Sequence, residues 1–260
     1  MAHLSVNINK IATVRNSRGG AVPSVIDAAQ VCIDAGSPGI TVHPRADERH
    51  ITRADVRQLS ELLKPLKGRP LQRAGVRAGE PRGVEFNIEG DPRPDLLALV
   101  DEVRPDQCTL VPVRPGEITS QAGWSADTPR DAMRATVGAL QDAGVRVSLF
   151  VDPEDAPLRW AAYMGADRVE LYTEPFARAF ECGADAARQS FAIYARAAEL
   201  AHSLGLGINA GHDLDLDNLV LFRTLPHLAE VSIGHALISR AIFVGLKQVV
   251  REYLDVLATS

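Results

Sequence analysis

Short apolar runs and longer amphipathic stretches alternate along this chain with almost constant spacing. Strand-like runs fall at 4–9, 39–43, 83–88, 107–112, 146–151, 168–173, 207–211 and 230–234. Helix-period patterns lie near 22–35, 53–64, 92–101, 128–143, 154–164, 184–204 and 215–224, with a last one near 236–258. The distinction rests on apolar residues recurring at a period of two or of 3.6. Boundary residues agree. Thr52 before Arg53-Ala54-Asp55 is an N-cap, Pro23 suits a helix first turn, and Gly36, Gly144 and Gly205 suit C-caps. Eight β-α units in series predict an α/β chain folded as one (β/α)8 TIM barrel over 1–260, with its active site at the C-terminal ends of the strands. An open doubly wound sheet would carry a glycine fingerprint after its first strand, where this chain has Asn9-Lys10-Ile11-Ala12. The stretches 66–82 and 113–127 read as long loops.

The strand faces carry the functional signal. Strands of a barrel wrapped by helices are buried on both sides and should read nearly all apolar. Here Asn7 and Asn9 share a face opposite Val6 and Ile8, and Thr41 and His43 oppose Ile40 and Val42. Glu85 and Asn87 oppose Val84 and Phe86, and Glu170 and Tyr172 oppose Val169 and Leu171. The apolar faces must pack on helices, so the polar ones point into the barrel. A carboxylate there costs several kcal/mol unless it is paired or protonated. A hydrogen-bonded polar plug accounts for Glu170. Four such strands together predict a polar cavity at the mouth, with Glu85, His43 and His212 as an acid/base set.

Composition narrows the class. At 260 residues, 46% hydrophobic and 23% charged, the chain has an ordinary globular makeup. A net charge of −5 argues against nucleic acid or an anionic membrane as partner. No apolar run reaches the ~20 residues that span a bilayer. Met1-Ala2-His3-Leu4 leads straight into a strand pattern without a leader signature, which makes a cytoplasmic location the expectation. Cys32, Cys108 and Cys182 match no metal or redox spacing and read as buried free thiols.

Two Gly-His pairs end the last two strands, Gly211-His212 and Gly234-His235. Glycine admits a ligand close to the backbone, and histidine supplies a donor, an acceptor or a proton. After the second strand come Arg45 and His50, the histidine being as well explained as a solvated residue or a helix cap. Arg15, Arg18 and Gly19-Gly20 form either a solvated arginine loop or an anion clamp. No pair among His43, His50, His212, His235 and Glu85 has a metal-ligand spacing, so neither metal nor cofactor is expected.

In order and spacing, several motifs resemble the pyridoxine 5'-phosphate synthase family, the barrel enzymes of vitamin B6 biosynthesis. They are Val6-Asn7-Ile8-Asn9-Lys10-Ile11-Ala12-Thr13-Val14-Arg15-Asn16, Gly39-Ile40-Thr41-Val42-His43-Pro44-Arg45, Glu85-Phe86-Asn87-Ile88-Glu89-Gly90, Asn209-Ala210-Gly211-His212 and Ile233-Gly234-His235-Ala236. The resemblance runs from Val6 to about Leu246. It implies condensation of 1-deoxy-D-xylulose 5-phosphate with 3-amino-2-oxopropyl phosphate into pyridoxine 5'-phosphate, releasing phosphate and water. It further implies His43 and Glu85 as proton acceptors and His212 as proton donor. Substrate contacts would come from Asn7, Asn9, Lys10, Arg18, Arg45, His50, Thr119, Asp213, Gly234 and His235. The two phosphorylated substrates are the expected partners, with the chain in a homo-oligomer, an octamer by resemblance. The chain departs from the family pattern in Lys10 for a common histidine, Asp213 for a common glycine, and Glu174-Pro175-Phe176 in the sixth loop.

Two other classes compete. A Schiff-base aldolase would use Lys10, the only lysine near a predicted strand end. A non-catalytic phosphate-sugar binding barrel would gain nothing from a carboxylate in its cavity.

Overall fold

A computed structural model describes residues 2–66, 83–113 and 122–259. The expected loop over 66–82 thus lies outside the described residues from 67 on, and Thr119 and most of its loop fall outside as well. Eight parallel strands close into a barrel in chain order. They are β1 (His3–Asn7), β2 (Gly39–Val42), β3 (Glu85–Gly90), β4 (Gln107–Leu110), β5 (Arg146–Val151), β6 (Arg168–Tyr172), β7 (Gly207–Gly211) and β8 (Leu228–Ile233). The barrel closes through Leu4 beside Val231 and Ser5 beside Ser232. The (β/α)8 expectation therefore holds. No described helix is long and apolar enough to cross a membrane.

Strand alternation divides the molecule as the sequence implied. Val6, Ile40, Val42, Ile88, Leu149, Leu171 and Val231 face outward onto the helices and are fully buried. Each contributes roughly 1.5–3 kcal/mol by leaving water. The inward faces are largely polar, with Val111 and Phe150 as apolar exceptions at the mouth. Ser5 meets Thr41 at 2.6 Å, Thr109 donates to Asn87 at 3.1 Å, and Arg168 donates to Asn209 at 2.9 Å. Asn209 links Gln107 and Glu230 across the lumen. The lower barrel is thus a hydrogen-bonded plug, which is how so many polar groups are tolerated away from water.

The helix starts follow their caps. Thr52 and Asp55 make a reciprocal capping box at helix Arg53–Leu63. Some elements differ from expectation. The chain turns helical directly after β1, at Asn9–Asn16, where strand was expected to run to residue 9. Glu174-Pro175-Phe176 opens a further helix, Glu174–Glu181, with proline in its first turn. The last helical pattern divides into His235–Val244 and Leu246–Ala258 at Gly245, whose φ of 88° interrupts it. Cys32 and Cys108 are buried, but Cys182 is exposed, contrary to expectation.

One difference bears on function. The third strand starts and ends two residues later than expected, at Glu85–Gly90. Glu85 is therefore its first residue, paired in register with Gly39 at the base of the barrel. Its carboxylate forms an ion pair with Arg146, the first residue of β5. The assignment of Glu85 to the mouth is corrected. Glu89 shares its face and stands four residues on, roughly 13 Å further along the strand at ~3.3 Å per residue.

Candidate active site

At the C-terminal mouth lies a cavity of about 340 Å³. Asn7, Asn9, Lys10, His43, Arg45, His50, His212, Asp213, Gly234 and His235 line it, joined by Glu89, Glu170, Ser232, Val111 and Phe150. Ten expected site residues thus converge from four strand-helix junctions. Glu85 sits at the other end of the barrel, and exposed Arg18 follows helix Asn9–Asn16 without lining the cavity.

Two asparagines of the first junction set its floor. The Asn9 backbone N–H donates to Asn7 Oδ1 at 3.1 Å, and the His43 backbone N–H donates to Asn9 Oδ1 at 2.9 Å. Asn7 Nδ2 donates to Glu89 Oε2 at 3.2 Å, and Ser232 Oγ donates to Glu89 Oε1 at 3.4 Å. Strands β1 and β8 are thereby tied to β3 through one carboxyl group. Burial pushes Glu89 up to about 7, opposed by the nearby His212 and by the Ser232 and Asn7 hydrogen bonds, with Glu230 adding to the rise. Burial also pushes Glu170 well above the usual carboxylate range, with Glu89 and Glu230 adding to it.

His43 and His50 are held toward their neutral forms. Burial takes His43 down to about 3, assisted by His50, Arg45 and Arg93. Its Nδ1 lies 4.0 Å from Glu89 Oε2. With the imidazole held down and the carboxyl held up, this approach, longer than a hydrogen bond, is not a stabilising salt bridge. His43 Nε2 and Glu170 Oε2 are buried without a protein partner among the described residues. His50 falls to about 4 through burial and the charges of Arg45 and Lys10. Its Nδ1 accepts the Ile51 amide at 2.9 Å, which puts the proton of the neutral ring on Nε2.

The last two junctions differ from each other. Gly234 precedes helix His235–Val244, whose start has no side-chain cap, and Gly234 and His235 both line the cavity. A β-carbon at Gly234 would lie 3.1 Å from both Cβ and the carbonyl oxygen of Asn7, so glycine allows β8 to approach the first junction. At the seventh junction His212 has φ 90° and Asp213 φ 59°, both rare for residues with a β-carbon. The His212 ring stands edge-on to Tyr172, centroids 5.2 Å apart, and its Nδ1 is 3.3 Å from Asp213 Oδ2. The hydrogen bond to His212 holds Asp213 below the usual carboxylate range.

Glu89 is the cavity carboxyl that reading the sequence did not single out. Its signal was present in Gly90-Asp91-Pro92, a turn that marks the strand end and hence the mouth. No group of three or more His, Cys, Asp or Glu residues among those described could hold a metal ion.

The fold and this polar mouth define the class: a single (β/α)8 barrel with its site on the C-terminal loops. The family described as "Pyridoxal phosphate biosynthesis protein PdxJ" matches residues 4–259, and the chain belongs to that family. The relative from Leptospira biflexa, named pyridoxine 5'-phosphate synthase, is 47% identical over 99% of this chain and 98% of its own length. The one of the same name from Porphyromonas gingivalis is 48% identical over 99% and 100%. The chain is accordingly an enzyme of pyridoxine biosynthesis. Among solved structures, the tryptophan synthase A-subunit from Pyrococcus furiosus superposes with a TM-score of 0.59 at 13% identity, covering 98% of this chain and 97% of that one. That likeness concerns the barrel alone.

Proposed function

We propose that this enzyme condenses 1-deoxy-D-xylulose 5-phosphate with 3-amino-2-oxopropyl phosphate to pyridoxine 5'-phosphate, by acid/base catalysis by its own side chains. The amine of one substrate attacks the ketone of the other, and phosphate and water leave as the ring closes. Each of those steps adds or removes a proton, so the site must hold groups that exchange protons near neutral pH.

The observation that carries this reading is the environment of Glu89. It is a buried carboxyl held up to about 7, hydrogen-bonded by Asn7 and Ser232, in one cavity with His43 and His212. In this reading Glu89 takes the proton-acceptor role that the sequence suggested for Glu85. Neutral His43 is a second acceptor, and His212 donates to the leaving group. Arg45, Lys10 and the helix N-terminus at Gly234-His235 supply positive potential for two phosphates.

Incubating the purified protein with both substrates and following the pyridine chromophore tests the proposal. Absence of product beside an active control enzyme overturns it. Lys10 also lines the cavity, which keeps the Schiff-base aldolase as the competing reading. A borohydride-trapped adduct on Lys10 would favour that reading, and none is expected.

A further inference from the structure

His212 occupies a turn that its own backbone does not favour. Two successive residues with β-carbons, His212 and Asp213, have φ of 90° and 59°. Such a turn persists only where its surroundings over-determine it. Here three consecutive carbonyls are held. The Thr173 backbone N–H and hydroxyl both donate to the Gly211 carbonyl, at 3.1 and 2.7 Å. The same hydroxyl reaches the His212 carbonyl in a short contact. Asn218 Nδ2 donates to the Asp213 carbonyl at 3.0 Å, while its Oδ1 accepts the Asp215 amide. Thr173 is fully buried and Asn218 nearly so.

The neighbouring residue Tyr172 packs against the His212 ring. Strand β6 thus grips β7's end twice, by ring through Tyr172 and by backbone through Thr173. We infer that Thr173 is a positioning residue. Its hydroxyl fixes the His212 peptide, and so the direction in which the imidazole enters the cavity. This rests on the role proposed above for His212. Thr173 faces carbonyls rather than the cavity, so it acts through the histidine.

The hydroxyl is one hydrogen shared between two acceptors, so its removal leaves the His212 carbonyl without this donor. The peptide is then free to relax out of the left-handed region, carrying the ring with it. A misplacement of about 1 Å costs on the order of 100-fold in rate.

Thr173→Val keeps the shape and removes the donor, and Thr173→Ser keeps the donor. Turnover and the imidazole NMR signals of His212 are measured for each. Thr173→Val is expected to lower kcat about 10- to 100-fold with KM changed less than about threefold, and to shift the His212 signals. Thr173→Ser is expected to restore both to within about threefold of the original. A folded Thr173→Val with original His212 signals and kcat overturns the inference. So does a variant whose loss appears only as a lower Tm, with normal kcat per folded molecule. Should Thr173→Val not fold, Thr173→Cys, a weak donor, carries the comparison and should fall between serine and the valine expectation; equality with serine overturns the inference. If the unaltered protein makes no pyridine product, the proposed reaction fails, while the NMR signals still decide whether Thr173 orients His212.

Discussion

The imidazole of His43 and the carboxyl of Glu89 lie 4.0 Å apart at the barrel mouth, both buried and both held toward their uncharged forms. Neither group would be so placed to stabilise the fold. An ionised pair of this kind loses most of its attraction to desolvation. A carboxyl that gains and loses its proton near neutral pH, beside a neutral ring, is instead what an acid/base step needs.

Glu89 and Glu85 therefore separate cleanly by mutation. Glu89→Gln should lower kcat about 10²- to 10⁴-fold, the usual size of a general acid/base contribution, with the fold intact. Glu85→Gln should leave kcat near its original value. It should cost about 1–3 kcal/mol of unfolding free energy because Arg146 loses its charged partner. Steady-state kinetics and urea denaturation on both variants check this, and equal losses of kcat would return Glu85 to the site.

The buried carboxyls make stability pH-dependent in a direction opposite to that of most proteins. Glu230 is pushed up to about 7 by burial and by Glu85, partly offset by Arg168 and Arg146. Between its ordinary value near 4.5 and 7, the folded state binds more protons than the unfolded state. Stability from this group is full below about 4.5 and is lost as pH rises toward 7. Glu230→Gln should accordingly gain on the unaltered protein as pH rises from 5 to 7, by at most about 1.4 kcal/mol per pH unit. Unfolding free energies at several pH values measure that slope, and a flat difference would refute it.

His43 and His50 act with the opposite sign. Their folded values, about 3 and about 4, lie below the ordinary 6.5. The unfolded state takes up protons first as pH falls through 6.5, so stability drops from there toward 4. His50→Gln should flatten this acid limb, seen in the same urea series.

Gly234→Ala places a β-carbon against Asn7, at 3.1 Å from its Cβ and carbonyl oxygen. Overpacking of this kind costs about 1–3 kcal/mol. It should also push the N-terminus of helix His235–Val244 from the cavity. The expected signature is a KM raised about tenfold, at ~1.4 kcal/mol of lost phosphate binding, with a smaller change in kcat. An unchanged KM would remove the helix N-terminus from substrate binding.

Asp213→Gly restores the residue common in the family at a left-handed position. With the carboxylate beside His212 removed, substrate KM should fall several-fold, because a negative charge leaves the phosphate's surroundings. A raised KM would show that Asp213 serves the site through its side chain.

Alternation along the strands was enough to derive the barrel and its polar interior. Val6 against Asn7 and Ile40 against Thr41 reveal the two faces, because a period of two is a local property of the chain. The capping box of Thr52 and Asp55 and the glycines at helix ends are local for the same reason. Local pattern does not say how far up the barrel a residue stands. Glu85, Asn87 and Glu89 share one face, and only pairing with Gly39 and Thr109 assigns Glu85 to the base and Glu89 to the upper barrel. The sequence by itself thus determined the fold, its family and most residues of the mouth. Tertiary structure alone decided which glutamate enters the site, how far burial raises its proton affinity, and how Thr173 and Asn218 hold the turn of His212. Those outcomes depend on strand stagger, burial and contacts between residues distant in the chain.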